Sequence, residues 1–153
     1  MGEARWLDER EARVWRGIVG MQLQLGAALE RRLARDGLSG ADYALLVPLS
    51  AAPGGVLRAR DLGRTVGWER SRISHQVSRM EKRGLVAREE CSEDARGSMV
   101  RLTEAGRDAI VAAAPAHVAA VREYFFDVLT EAELDVIGPA LERVLDRLPD
   151  NDG

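Results

Sequence analysis

One helical segment near the middle of the chain constrains the fold more than any other feature of the sequence. Between Glu69 and Arg83, the apolar residues Ile73, Val77 and Met80 recur at spacings of four and three, which places them on one stripe of an α-helix. The stripe opposite them and its flanks carry hydroxyl groups, an imidazole and cationic side chains, while Glu81 lies beside the buried face. The segment therefore predicts a helix that buries one face and presents a polar, basic one. The residues outside the apolar stripe that we single out are Arg70, Ser71, Arg72, Ser74, His75, Ser78, Arg79 and Lys82.

A shorter helix comes before this segment and a hairpin comes after it. Residues 60–66 have the apolar spacing of a helix, and Gly67 ends it. A turn that contains glycine between two short helices is typical of a helix-turn-helix. After Gly84, two short β-type runs flank a polar loop that contains Gly97. The order of these elements predicts a winged helix-turn-helix, in which the second helix is presented to DNA.

The charges of the chain are concentrated in the same region. Residues 58–88 contain nine Arg and Lys against three Asp and Glu, a net charge of +6, whereas the whole chain carries −3 and the remainder therefore −9. A basic segment on an acidic chain suits contact with phosphates. Hydroxyl, imidazole and guanidinium groups can also pair with base edges in the major groove. The pattern therefore predicts that the polar side chains of the helix over residues 69–83 contact DNA. In the hairpin loop, Arg96 is predicted to enter the minor groove, and Asp94 to orient that guanidinium or brace the loop.

Long helical stretches with apolar stripes lie on both sides of this core. We predict a mainly α fold with a small β-hairpin, organised as one domain. Residues 38–103 form the winged helix-turn-helix lobe, and residues 6–35 and 104–148 form a helical dimerisation lobe. A compact winged helix does not need these long helices, and the simplest partner for their apolar stripes is a second copy of the chain.

Several other classes of protein are disfavoured. A single cysteine excludes an internal disulfide framework, and no apolar run approaches the roughly 20 residues that span a bilayer. Without a signal peptide the cytoplasm is the expected location. Two histidines and one cysteine lack metal-ligand spacing, and no nucleophile or phosphate-binding motif is present. We therefore expect no metal, no cofactor, no membrane contact and no enzymatic activity.

Two strings resemble parts of the MarR-type (multiple antibiotic resistance) regulators. RSRISHQVSRMEKRGLVARE resembles their recognition helix and its exit, and EDARGSMVRLTEAGR resembles their wing, with the family's Asp and Arg at Asp94 and Arg96. The long flanking helices extend the resemblance over nearly the whole chain. It implies a homodimer that binds palindromic operators in double-stranded DNA, usually as a repressor. Ala95 departs from the family, since many relatives have a second Arg there. The DNA contacts that the resemblance implies are Arg70, Ser71, Ser74, His75, Ser78, Arg79 and Arg96.

The same resemblance implies control by an effector, often a small aromatic acid or an oxidant. Such an effector would bind between the helices of the dimerisation lobe and the winged helix-turn-helix lobe. Trp15 and Tyr43 would supply flat apolar walls, and His117 could pair with a carboxylate. A Trp or Tyr on a helix stripe is more often a core residue, so a structural role for both stays open. The expected pocket residues are Trp15, Met21, Gln22, Tyr43, Val47, His117 and Val121.

Two alternative interpretations of the winged helix remain. Cys91 would lie on the wing and could make the regulator responsive to oxidants, although the carboxylates of Glu89, Glu90 and Glu93 disfavour its thiolate. The winged helix could instead serve a protein partner, although the basic stripe of residues 70–82 argues against this. Salt dependence separates the two kinds of partner, since DNA binding weakens steeply as salt rises.

Overall fold

The computed structural model describes residues 4–90 and 97–149. Within these ranges the fold is mainly α-helical with a small antiparallel sheet, as predicted from the sequence. Short 3-10 turns at Pro53–Gly55 and Phe126–Val128 complete the connections. In chain order the elements are α1 (Glu9–Ala34), α2 (Gly40–Ala51), β1 (Val56–Arg58), α3 (Ala59–Val66), α4 (Arg70–Lys82), β2 (Val86–Glu90), β3 (Ser98–Leu102), α5 (Glu104–Tyr124) and α6 (Glu131–Leu145).

The sheet extends the predicted hairpin by one strand. Strand β3 lies in the centre, with β2 paired to one side and the short β1 to the other, both antiparallel. Arg88 of β2 lies opposite Val100 of β3, and Val100 is buried. The face of the hairpin that carries these two residues therefore turns toward the helical core, while one edge of β2 is left unpaired by any strand of the sheet.

The helix-turn-helix depends on two glycines. Gly67 ends α3 in the left-handed conformation with φ of 68°, which glycine adopts without steric cost. Gly63 is buried where α3 meets α4: a Cβ at this position would lie 3.0 Å from the Trp68 carbonyl oxygen and 3.3 Å from Ile73 Cγ1. The absence of a side chain at Gly63 thus allows α4 to dock closely on α3.

The hydrophobic core lies in the winged-helix lobe, between α2, α3, α4, the sheet and the first half of α5. Leu45, Leu46 and Leu49 of α2 are completely buried in it. Val47, one of the expected pocket residues, lies outside this core, because its side chain is 43% exposed. The buried stripe of α2 begins at Asp42, a polar residue that apolar patterning does not select, and it turns Val47 outward.

The helices at the two ends of the chain leave much of their apolar surface uncovered. Helix α1 packs against α5, and α6 contains no buried residue. The accessible surface of the protomer is 11456 Å², whereas a compact monomer of this mass exposes roughly 7,700 Å². The exposed large apolar side chains of these regions include Trp6, Leu7, Val14, Trp15, Leu23, Val136, Leu141, Val144, Leu145 and Leu148.

Candidate nucleic-acid interface

Helix α4 buries the stripe that the sequence predicted. Ile73 and Val77 are each 2% exposed and Met80 is fully buried, so the helix is anchored to the core along its length. The opposite side is open to solvent. The predicted contact residues of α4 that are exposed are Arg70, Ser71, Arg72, Ser74, His75, Arg79 and Lys82, and Ser78 is half-buried.

Arg72 is held at the first turn of α4 by an aromatic ring. Its guanidinium carbon lies 3.9 Å from the ring centroid of Trp68, and Trp68 packs against the hydrophobic core. A guanidinium over an indole face is an attractive cation–π arrangement. Trp68 therefore stabilises the helix-turn-helix from beneath and fixes the position of one cation beside the helix N-terminus.

A buried polar network ties α4 to the rest of the lobe. Asp42, only 1% exposed, accepts hydrogen bonds from Gln76 Nε2 at 2.7 Å and from Arg83 Nη1 at 2.6 Å. Arg83 Nη2 also donates to the Gly37 carbonyl at 2.6 Å. Burial alone would raise the pKa of Asp42, but the hydrogen bonds from Ser39 and Arg83 and the charge of Arg83 lower it overall. Both the middle and the end of α4 are thus fixed to the start of α2.

The unpaired edge of β2 packs against a polar stripe of α4. The Arg88 guanidinium donates to the Ser74 carbonyl at 2.7 Å and to Ser78 Oγ at 2.9 Å. The backbone N–H of Arg88 donates to the Glu81 carboxylate at 2.8 Å. Ser74 and Ser78 therefore face the wing strand as well as solvent, which the helical pattern alone did not predict. We call this contact between Arg88 and the stripe Ser74, Ser78 and Glu81 the wing seam.

On the other face of the hairpin, Arg101 of β3 forms an ion pair with Glu89 of β2. The hydrogen bond from Arg101 is the main cause that lowers the pKa of Glu89, and the same contact raises the pKa of Arg101. This pair joins the two strands near the solvent. Asp94 and Arg96, predicted to contact DNA, and Cys91, the alternative redox site, lie outside the described residues.

Two of the predicted effector residues are in direct contact. The rings of Tyr43 and His117 lie 4.2 Å apart between centroids, tilted by 37°. The Nδ1 atom of His117 is buried and has no hydrogen-bond partner among the described residues. Burial lowers the pKa of His117 and raises that of Tyr43. The pair joins α2 of the winged-helix lobe to α5.

The other predicted effector residues are distributed over separate surfaces of the protomer. Met21 lines a shallow groove of about 530 Å³ between α1 and the end of α5, and Trp15 lines another groove at the start of α1. Neither groove includes Tyr43 or His117. Six residues along a helix correspond to about 9 Å of rise and about 120° of rotation, so Trp15 and Met21 cannot face one small molecule from a single α1. Gln22 and Val47 are exposed, and Val121 is half-buried.

The sequence reasoning missed the residues that orient α4. Gln76 carried a usable signal, because a polar residue on the buried stripe of a helix requires a buried partner. The partners themselves, Asp42 and Arg83, are far apart in sequence and gave no local pattern. The same holds for the wing seam, because Arg88 has the pattern of one more exposed strand cation.

The described ranges contain neither a candidate metal site nor a candidate membrane-spanning helix. No group of three or more His, Cys, Asp and Glu residues is arranged there to hold a metal ion. None of the helices in residues 4–90 and 97–149 combines the length and the apolar character that crossing a membrane requires.

Comparison with known proteins places these features in a family. The sequence profile of the MarR family matches residues 36–97, a range that begins before α2 and extends past β2. A comparison with curated protein sequences finds no match.

Solved structures match over almost the entire chain. AbsC, a MarR family transcriptional regulator from Streptomyces coelicolor, is 38% identical, with a TM-score of 0.88 over 94% of this chain and 97% of its own. Sco3205 from the same organism, solved in complex with DNA, is also 38% identical, with a TM-score of 0.92 over 100% of this chain and 96% of its own. PcaV, also from that organism and solved with its natural ligand, is 26% identical, with a TM-score of 0.72 over 94% and 99%. The chain belongs to the MarR family of transcriptional regulators.

Proposed function

We propose that the protein is a homodimeric regulator that reads a pseudo-palindromic DNA site with α4. The observation that carries this proposal is the two-sided character of α4. Its apolar stripe and Gln76 are fixed in the core, while Arg70, His75 and Arg79 are exposed on a rigid support. Such a helix suits insertion into the major groove. The relative Sco3205, solved with DNA, has the same fold over the whole length of this chain.

The dimeric state is supported by the uncovered surface of the terminal helices. The protomer exposes about 3,800 Å² more than a compact monomer of its mass, which exceeds the roughly 1,000–2,500 Å² that each partner of an obligate dimer buries. Residues 6–35 and 104–148 are the proposed dimerisation lobe. A two-fold axis through them places two copies of α4 about one helical turn apart on DNA.

A small effector is the proposed regulator of DNA binding, and repression relieved by that effector is the proposed outcome. The Tyr43–His117 contact supports this, because an aromatic wall stands beside a nitrogen without a hydrogen-bond partner among the described residues. An aromatic or anionic ligand could stack on Tyr43 and pair with His117. Its position between α2 and α5 would let it change the angle between the two lobes.

The primary test is selection of bound DNA from a random duplex pool at two salt concentrations. We expect an inverted repeat with half-sites centred about one helical turn apart, and an affinity that falls steeply as salt rises. Salt-independent binding without an enriched motif would contradict the proposal. It would favour the alternative in which the winged helix binds a protein partner.

The outer face of α4 can be tested by single substitutions against the selected operator. Arg70→Ala and Arg79→Ala should each weaken specific binding by about 1–3 kcal/mol if the guanidinium groups read bases. Arg143→Ala on α6 removes the same charge far from α4 and should leave operator affinity within the error of the assay. Fluorescence anisotropy with labelled operator measures all three, and unchanged affinity in both α4 variants would contradict the assignment of α4.

A further inference from the structure

The wing seam joins two parts of the molecule that are both proposed to contact DNA. Ser74, Ser78 and Glu81 recur at spacings of four and three, so they form one stripe of α4. That stripe lies against the unpaired edge of β2. One residue of β2, Arg88, makes every hydrogen bond of the seam: its guanidinium contacts the serines and its backbone N–H contacts Glu81.

The seam fixes how the hydroxyl groups can behave. A serine hydroxyl has one proton to donate and two lone pairs, whereas a guanidinium only donates. Ser78 Oγ must therefore accept from Arg88 Nη2, which lies 2.9 Å away. The second N–H of this nitrogen donates to the Ser74 carbonyl at 2.7 Å, so Ser74 Oγ, at 3.4 Å, accepts only a shared, weaker bond from one of these two N–H groups. With one lone pair engaged in this way, the hydroxyl proton of each serine remains available for a group outside the protein.

We infer that Arg88 is a positioning residue that makes Ser74 and Ser78 hydrogen-bond donors toward the DNA bases. With Glu81, it also fixes the angle between the wing and α4. The inference rests on the proposed function, in which α4 reads the major groove. Guanine, adenine and thymine each present an acceptor in that groove, whereas cytosine presents the N4 amino donor. The base pairs that face the serines should therefore place an acceptor, and not the cytosine amino group, against them.

The inference is tested with Arg88→Met, which keeps the length of the side chain and removes its donors. The matched control is Arg101→Met, which removes the same charge from the same hairpin but leaves the seam intact, since Arg101 pairs with Glu89. Bound DNA is selected from one random pool with each variant at one salt concentration, and affinities for the resulting operators are measured over a range of salt.

The expected result is local. Arg88→Met should select the same inverted repeat as the unmodified protein, but discrimination against cytosine at one or two base pairs of each half-site should fall about fivefold, the value of one hydrogen bond. Arg101→Met should keep the base preferences, with any loss of affinity uniform over sequence. Ser78→Ala should lose preference at one of the base pairs that Arg88→Met affects. At that base pair, the double variant Arg88→Met/Ser78→Ala should lose no more base preference than Ser78→Ala alone, because both changes act through the Ser78 hydroxyl.

Other results would overturn the inference. If Arg88→Met weakens all sequences equally and reduces the salt slope by about one, Arg88 contacts a phosphate and does not position the serines. If Arg88→Met does not fold, as judged by circular dichroism, Ser78→Ala decides alone: a selected motif identical to that of the unmodified protein refutes the donor role. If the unmodified protein selects a motif and all the variants select the same motif, only this inference is refuted. The absence of any motif for that protein refutes the proposed function first, and the inference with it.

Discussion

At the scale of single residues, the orientation of α4 depends on one buried carboxylate. Asp42 accepts hydrogen bonds from Gln76 in the middle of α4 and from Arg83 at its end. Arg83 is also joined to the Gly37 carbonyl in the turn between α1 and α2. The buried carboxylate therefore restricts rotation of α4 about its axis. This restriction fixes the direction in which the exposed side chains of α4 point.

Replacement of this carboxylate by an amide should destabilise the fold. Asp42→Asn keeps the shape but replaces one acceptor oxygen by an NH₂ donor facing Gln76 or Arg83, and it removes the charge opposite Arg83. We expect the free energy of unfolding at pH 7 to fall by about 1–3 kcal/mol, measured by urea titration. Asp36→Asn removes the same charge from an exposed position in the neighbouring turn and should have little effect. Equal losses in the two variants would contradict the role of the network.

The same substitution predicts a pH dependence. The pKa of Asp42 is lower in the folded protein than its ordinary value, so the folded state favours the ionised form. The stabilisation is complete above the unfolded value of about 3.9 and is lost as pH falls through the lower folded value. The stability difference between the unmodified protein and Asp42→Asn should thus stay constant from pH 7 to pH 5 and shrink below pH 4. A difference that does not change down to pH 2 would show that the carboxylate charge is not its source.

His117 should give a second pH dependence at a higher pH. Burial lowers its pKa, so the folded state favours the neutral ring, and stability falls once pH drops below the unfolded value of about 6.5 toward the folded pKa. His117→Phe keeps a ring against Tyr43 without titrating and should lose stability less than the unmodified protein between pH 7.5 and pH 5.5. His75→Gln, at the exposed histidine of α4, is the control and should follow the unmodified protein. Parallel curves for His117→Phe and the unmodified protein would contradict the prediction.

At the scale of elements, the sequence predicts the features that local periodicity determines and little of what depends on docking. The spacing of Ile73, Val77 and Met80 predicts the buried face of α4, and Gly67 predicts the end of α3; both are confirmed. The wing seam was not predictable in this way, because the side of α4 that faces β2 is set by the angle at which the hairpin docks. The exposure of Val47 has a similar cause, since the buried stripe of α2 begins at Asp42, a polar residue that apolar patterning does not select.

The junction between the wing and α5 is an element contact that tolerates no added atom. A Cβ at Gly106 would overlap the carbonyl oxygen of Leu85, which is backbone and cannot rotate away. Gly106→Ala should therefore lower the free energy of unfolding by about 1–3 kcal/mol, the usual cost of overpacking. Gly26→Ala in α1 meets no atom within 4 Å and should instead stabilise by up to about 1 kcal/mol through helix propensity. Thermal and urea unfolding measure both, and a neutral or stabilising Gly106→Ala would contradict the close approach.

At the scale of the whole molecule, the effector site is where prediction from the sequence reaches its limit. Tyr43 and His117 were predicted to lie together, and their rings are in contact. Trp15 and Met21 lie on different faces of α1, so the predicted residues do not form one pocket within a protomer. A site between two copies depends on the geometry of their pairing, which helical periodicity in one chain does not specify. The dimer is therefore the level at which the remaining site predictions have to be tested.

The apolar stripe of α6 gives the sharpest test of that dimer. Leu141 is 46% exposed in the protomer, and burial of a leucine side chain contributes about 1.5–3 kcal/mol. A two-fold interface contains two copies, and about half of each side chain remains to be covered, so Leu141→Glu should weaken dimerisation by at least about 1.4 kcal/mol, tenfold or more in the dissociation constant. Sedimentation equilibrium measures this directly. Arg143→Glu introduces the same carboxylate on the opposite side of α6 and should remain dimeric.

If the dimer depends on α6, Leu141→Glu should also lose cooperative binding to the inverted repeat while it keeps the affinity of one winged helix for a half-site. A dissociation constant for Leu141→Glu equal to that of the unmodified protein would exclude Leu141 from the interface and require another partner for the apolar stripe of α6.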